Sequence, residues 1–434
     1  MASNPTRRAV LAAVPGAAMA AVPASRPALL GGTPAKKGRF PKWPVAGQLE
    51  EQALVEVVRS GQWFQGNGQN VKKFEAAWAQ LTGAKFCVAC SSGTGALHSS
   101  LGALGAGAGD EIILPPYTFV ATLNVVLLFH ALPVFVDSDI ESMQIDAGKI
   151  DAAVTDRTAA IIPVHYSGNL AELDTILAVG AKRKIPVLED ACQSHLAEWR
   201  GRKAGTWGAA GCFSFQASKN LNCGEGGAIV TNDEDLAERC YAFHYNGSSR
   251  NRKWVDTLYG TKYLMTEFQA AILLAQMTRL EEQTRTREQN ARYLTSLLKE
   301  IPGIATQKIY EGCTRHAYHV YKFRFLPEGF AGMTREKFLK AMSAEGISCT
   351  SGYTELNRRR HLKNALASRG YQRIYSRQVL ARLEERNHCP VNDRLCQQAV
   401  GLTQNMLLGT RSDMDQIAEA IRKIQAHAAE IARA

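Results

Sequence analysis

Short apolar runs and longer amphipathic stretches alternate through the first two thirds of the chain. The runs fall at 86–90, 111–114, 132–136, 159–164, 186–189, 210–215 and 228–231, and helix-length segments separate most of them. Continuous apolar runs, as opposed to alternating ones, belong to strands buried on both faces. Such strands with helices between them predict an α/β domain built on a large, mostly parallel, seven-stranded sheet. Ligands of such sheets gather at the carboxyl ends of the strands. The polar candidates stand there: Ser91 to Thr94, Pro115 to Phe119, Asp190 and Ser214.

Residues 28–47 are too rich in proline and glycine for a helix and predict an extended arm. Periodicity predicts helices over 48–60, 70–82 and 232–243, with a loop at 61–68. A basic loop is expected over 244–263 and one long helix over 265–300. The domain change is placed within or after that helix. It divides a large domain over 27–290 from a smaller C-terminal α/β domain over 291–434. The latter is expected to have strands near 316–326 and 347–351 and helices near 334–345 and 412–432. Arg358, Arg359 and Arg360 read as a solvated helix end or loop.

Composition narrows the class. With 46% apolar and 21% charged residues in 434, the chain is an ordinary globular protein without low-complexity tracts. Its net charge of +11 suits anionic small molecules. Nucleic acid is not indicated, since no zinc-finger spacing or RNA-recognition motif accompanies the charge. The ten cysteines are scattered, as in a protein that folds with reduced thiols. Cys87 and Cys90 have ligand-like spacing but sit in an apolar run without a partner pair, so a buried strand with thiols is expected and no metal. At the N-terminus, Arg7-Arg8 precede a small apolar run from Leu11 to Ala24, broken by Pro15 and Pro23. This reads as a twin-arginine-type leader over 1–26, with export to the periplasm, against a cytoplasmic location without it. The run is too short to span a bilayer.

One turn concentrates the chemistry. After the apolar run ending at Phe215, Gln216-Ala217-Ser218-Lys219 presents a lysine, and Gly224-Glu225-Gly226-Gly227 follows before Ile229-Val230-Thr231. A lysine between strand-like segments, on sharply bending backbone, suits an amine that must meet a flat aldehyde. The turn resembles that of the DegT/DnrJ/EryC1/StrS family of pyridoxal-phosphate sugar and cyclitol aminotransferases. Further matches keep the family's order: Ser92-Gly93-Thr94-Gly95, Pro115-Pro116-Tyr117-Thr118-Phe119, Glu189-Asp190-Ala191-Cys192-Gln193, Met265-Thr266-Glu267 and Gly352-Tyr353.

The resemblance implies fold type I of the pyridoxal-phosphate enzymes and a homodimer with active sites at the subunit interface. It implies pyridoxal 5′-phosphate held by a Schiff base to Lys219, with Asp190 at the pyridine nitrogen and Gln193 at the phenolic oxygen. Gly93, Thr94 and Ser214 would hold the phosphate, at a helix start whose N–H groups are unpaired. Phe119 would stack on the ring, with Tyr117 as second choice. Tyr117, His319, Tyr321 and Tyr353 are candidates for substrate contact, with His316 and Tyr318 on the same aromatic strand as His319 and Tyr321. The family's Gly-x-Asn-x-Arg-Met reads here Gly260-Thr261-Lys262-Tyr263-Leu264-Met265. The asparagine's contact with the neighbouring subunit's cofactor would therefore fall to Lys262, to Asn246 or to neither, and Leu264 removes a guanidinium. Lys219 stands where the family's dehydratase branch has histidine, which favours amino transfer from glutamate or glutamine to a keto-sugar or keto-cyclitol. The alternatives are a dehydratase or aromatising synthase of the family, or a non-catalytic binding relative.

Overall fold

The computed structural model describes residues 25–250, 252–254 and 258–433. The leader's arginine pair lies outside the described residues. Strands β1 Phe86–Cys90, β2 Glu111–Leu114, β3 Leu132–Phe135, β4 Thr158–Ile161, β5 Leu188–Asp190, β6 Ala210–Ser214 and β7 Gly227–Thr231 occupy the seven apolar runs. They line up as β1-β7-β6-β5-β4-β2-β3, with β4 and β5 joined by single bridges from Ile161 to Val187 and from Val164 to Asp190.

Only β7 runs antiparallel to its neighbours, β1 and β6. The reason is the connection: parallel neighbours need a crossover, usually helical, and 215–226 contains no helix. The end of β6 and the start of β7 therefore both face the ligand end of the sheet, and the lysine turn hangs between them. Helices cover both faces. Phe74 and Trp78 pack with Phe213 and Phe215 on one side. Leu97, Leu101 and Val126 pack with Ile112 and Leu114 on the other. Cys87 and Cys90 lie buried in β1, and all ten cysteines are free thiols. Among the described residues, no helix is long and apolar enough to cross a membrane.

The stretch expected as one long helix is two, Glu267–Met277 and Leu280–Leu298. At the break, the Thr278 hydroxyl donates to the Ala275 carbonyl (2.7 Å) and competes for it with the helical ladder. The Arg279 side chain reaches out to Glu50 and Val45. Three antiparallel strands, Ile304–Thr306, Val320–Phe325 and Ala399–Thr403, form the smaller sheet around Phe323, Phe325, Phe330 and Phe338. The expected strand at 347–351 reduces to a bridge between Thr350 and Gly401, and 412–432 divides into Arg411–Ala426 and Ala428–Arg433.

Two segments cross between the units. The arm packs Leu29, Leu30, Ala35 and Phe40 on the smaller core. There the buried Glu345 accepts from the N–H groups of Ala28 (2.8 Å) and Ala35 (2.7 Å) and pairs with Lys423 (2.7 Å). In return, helical residues after Tyr353 lean back on the large sheet, with Leu356, Leu362 and Cys389 in one of its cores and Tyr371, Tyr375 and Leu383 in another.

Candidate active site

A cavity of about 540 Å³ opens where the chain leaves β1, β2, β5 and β6. Gly93, Thr94, Phe119, Asp190, Gln193, Ser214 and Lys219 all line it, as do His319 and Tyr353 from beyond the sheet. Residues separated by more than 250 positions in sequence thus share one space.

Asp190 ends β5 and is 5% exposed. Its Oδ2 accepts from the Thr122 hydroxyl at 2.8 Å and its Oδ1 from the Cys192 N–H at 3.2 Å. No ion pair to it is seen among the described residues, so a buried carboxylate faces the cavity without a paired cation. The neighbouring Glu189 anchors this strand end. Its carboxylate takes the N–H groups of Gly205 (2.7 Å), Trp207 (2.7 Å) and Gly208 (2.8 Å) and the Nε2 of His165 (2.9 Å). Burial alone would raise its pKa, but His165 and these N–H groups hold it below the usual carboxylate range.

Gly93 opens the helix Gly93–Ala103, capped by the Ser92 hydroxyl on the Gly95 N–H at 3.0 Å. A side chain at Gly93 would come within 2.6 Å of the Ser214 Cβ and 2.9 Å of the Cys192 Sγ, so the helix start can lie against β6 only with glycine there. The first N–H groups of such a helix have no carbonyl ahead of them and favour an anion.

Lys219 closes the cavity from the turn. Its own N–H donates to Gln216 O (2.8 Å), and its Nζ stands 3.4 Å from the Nε2 of His319. Burial lowers the pKa of this amine, against the opposing pull of Cys192, Asp190 and Glu225. Burial, with Lys219 next, pushes His319 well below the usual histidine range, so a neutral ring faces Nζ. Gln193 is fixed by the Ser167 N–H on its Oε1 (2.8 Å) and donates from Nε2 to the Tyr353 hydroxyl (3.2 Å).

Phe119 is 54% exposed, with its ring 6.5 Å from that of Tyr353. Tyr117 is not in the cavity wall. It is 1% exposed, packed edge-on against Tyr166 and Tyr353, and its hydroxyl accepts from the Tyr353 N–H at 3.4 Å. Tyr321 is also elsewhere, bonding Thr295 in the smaller core (2.8 Å), and His316 stacks on Tyr318 at 3.8 Å. Asn246 and Lys262 are exposed and lie outside the cavity. On the aromatic stretch 316–321, His319 reaches the lysine and Tyr321 turns to Thr295 instead. Thr122 and Glu189 went unassigned: a hydroxyl one helical turn past Thr118, and an acid read only as part of a motif.

These residues fit pyridoxal phosphate. The cavity combines a buried carboxylate with no ion pair among the described residues, a helix start framed by hydroxyls, an amine whose pKa burial lowers and an exposed aromatic ring.

Comparison with known proteins agrees. The sequence profile of the DegT/DnrJ/EryC1/StrS aminotransferase family matches residues 45–422. The chain is 34% identical over 425 residues to an L-glutamine:scyllo-inosose aminotransferase of Streptomyces griseus, covering 94% of this chain and 99% of that one. It is 35% identical over 425 residues to an L-glutamine:2-deoxy-scyllo-inosose aminotransferase of Streptomyces fradiae, covering 93% and 99%. The crystal structure of 3-amino-5-hydroxybenzoic acid synthase superposes with a TM-score of 0.79 at 29% identity, covering 92% of this chain and all of that one. The chain belongs to the DegT/DnrJ/EryC1/StrS aminotransferase family and is a pyridoxal-phosphate-dependent transaminase.

Proposed function

We propose that this transaminase moves the amino group of L-glutamine or L-glutamate to a keto-cyclitol of the inosose type. The observation that carries the choice of acceptor is the cavity wall. Among the described residues Lys219 is its single lysine or arginine, and hydroxyls and amides make up most of its polar groups. A nucleotide-linked keto-sugar would bring a diphosphate, which calls for arginine or lysine partners. An uncharged polyol needs the hydroxyls and amides that are there. The Streptomyces relatives, named for inososes, support the same acceptor.

Asp190 would hold the pyridine N–H, with Thr122 fixing the carboxylate's rotation. Gly93, Thr94 and Ser214 would hold the phosphate, Gln193 the phenolic oxygen, and Phe119 one face of the ring. The bound cofactor supplies an electron-poor ring that accepts the charge left when the substrate carbon loses its proton. Lys219 would take that proton on Nζ and return it two bonds away, on the far side of the amino nitrogen. The neutral His319 ring turns the Nζ lone pair by accepting one of its hydrogens. An amine in bulk water would be an ammonium at neutral pH and unable to act as a base. Tyr353 stands over the ring's neighbour, Phe119, as a wall for the acceptor.

Lys219 in place of histidine supports amino transfer over dehydration. The test is product analysis: scyllo-inosose with L-glutamine should yield an amino-cyclitol and the donor's keto acid. Release of water with no amine on the product would favour the dehydratase reading, and ligand binding without turnover the non-catalytic one.

The domain division at 290/291 and a homodimer belong to the same reading. The exposed Asn246 and Lys262 and the half-open Phe119 support a second copy that completes each site; sedimentation of the holoprotein at twice the chain mass tests it. Export through the twin-arginine leader is proposed from Arg7, Arg8 and the apolar run from Leu11 to Ala24, and fractionation of a cell expressing the full chain tests it.

A further inference from the structure

The lysine turn is gripped from outside the sheet. The Trp43 indole N–H, on the arm, donates to the Ala217 carbonyl at 2.9 Å, two residues before Lys219. Inside the turn, the Ala217 N–H goes to Gly224 O and the Lys219 N–H to Gln216 O, both at 2.8 Å. The indole thus ties the outer carbonyl of a loop whose inner groups are already paired.

The indole is itself held. The Arg287 guanidinium lies 5.1 Å from its ring centroid and is fully buried. Its Nε donates to Gln404 Oε1 at 2.8 Å, while Nη1 and Nη2 have no hydrogen-bond partner among the described residues. The Trp43 face therefore offsets part of the cost of a buried cation. Asn405 Nδ2 donates to Pro41 O at 2.8 Å and Gln276 Nε2 to Val45 O at 2.6 Å, so the arm is pinned on both sides of Trp43. Gln404 and Asn405 follow the last strand of the smaller sheet.

We propose that Trp43 is a positioning residue for Lys219: its N–H sets the height of the Ala217 carbonyl, and so where Nζ stands against His319. This rests on Lys219 being the reacting amine. It makes the geometry of the turn depend on the arm and, through Arg287 and Gln404, on the docking of the smaller unit.

Trp43→Phe keeps an aromatic face under Arg287 and removes the donor. Losing one such bond should lower kcat roughly tenfold. KM for the donor should stay within about twofold, because the substrate wall is untouched. In cofactor-free protein, hydrogen exchange should quicken at the amides of 214–222 and remain unchanged at 86–114. Parental kcat, parental exchange at the turn, or quickening spread evenly over the sheet would each overturn the proposal. If Trp43→Phe does not fold, β-(3-benzothienyl)alanine at position 43 keeps the indole's shape without its N–H and is read the same way. A Lys219→Ala protein that still turns over would overturn the lysine assignment instead, whatever Trp43→Phe does.

Discussion

Asp190, Gly93 and Ser214 line the cavity from the sheet; Lys219, His319 and Tyr353 line it from loops. On the sheet side each group ends a strand or starts a helix, and its position follows from ladder hydrogen bonds and from Glu189, whose carboxylate binds four donors. On the loop side, the lysine turn is fixed by the arm, His319 by the segment leading into the smaller sheet, and Tyr353 by Tyr117 and Gln193. A rigid half suits a cofactor that stays, and a half assembled from several segments suits a substrate that must enter and leave. The sheet side should therefore govern cofactor retention and the loop side turnover.

Lys219→Ala puts the largest strain on that contrast. Turnover should fall roughly 1000-fold or more, the scale of a lost proton-transfer group. Borohydride should no longer fix cofactor to the protein, yet dialysis should still leave phosphate-bound cofactor on the sheet side. Loss of the cofactor with the amine would erase the distinction. Asp190→Asn comes next: removing a buried charge from its cationic partner costs about 3 kcal/mol, or roughly 100-fold. Absorbance during dialysis should show faster cofactor loss, with borohydride trapping on Lys219 intact.

Acid should act through buried histidines. Burial pushes His195 and His316 down to about 3 and His244 to about 4 from an ordinary 6.5. The folded chain therefore binds fewer protons than the unfolded one. The stability these neutral rings contribute is complete above about pH 6.5 and drains away as pH falls towards 3–4. Urea midpoints from pH 7 to pH 4 should fall steadily. His195 lies behind Lys219, between Trp78, Phe213 and Phe215, so His195→Gln should flatten the curve. The smallest effect is set for Thr122→Val. Loss of one hydroxyl from Asp190 costs about 1 kcal/mol, some fivefold in cofactor affinity, with kcat for loaded enzyme nearly unchanged. A drop in kcat instead would place Thr122 with the loop half.

Legibility in the sequence follows the same line. Gly93, Thr94, Asp190, Ser214 and Lys219 were readable because each sits beside an apolar run or in a motif, and the sheet brings strand ends together. Tyr321 and His319 could not be told apart there, because alternation along a strand does not say which face meets the cavity. Trp43, Thr122 and Arg287 gave no local signal, since each matters only through a partner distant in sequence or on a facing element. The break at Thr278 was hidden by continuous helical periodicity on both sides.

The order of apolar and polar segments by itself determined the seven-stranded sheet, the edge where chemistry collects and the residues at strand ends, because side-chain burial and backbone pairing act over short spans. The tertiary structure alone decided that His319, not Tyr321, meets the lysine. It also decided that an arm from the start of the chain holds the turn, and that helices after Tyr353 return to the large sheet. Such contacts join segments tens to hundreds of residues apart, and their selection depends on how whole faces pack.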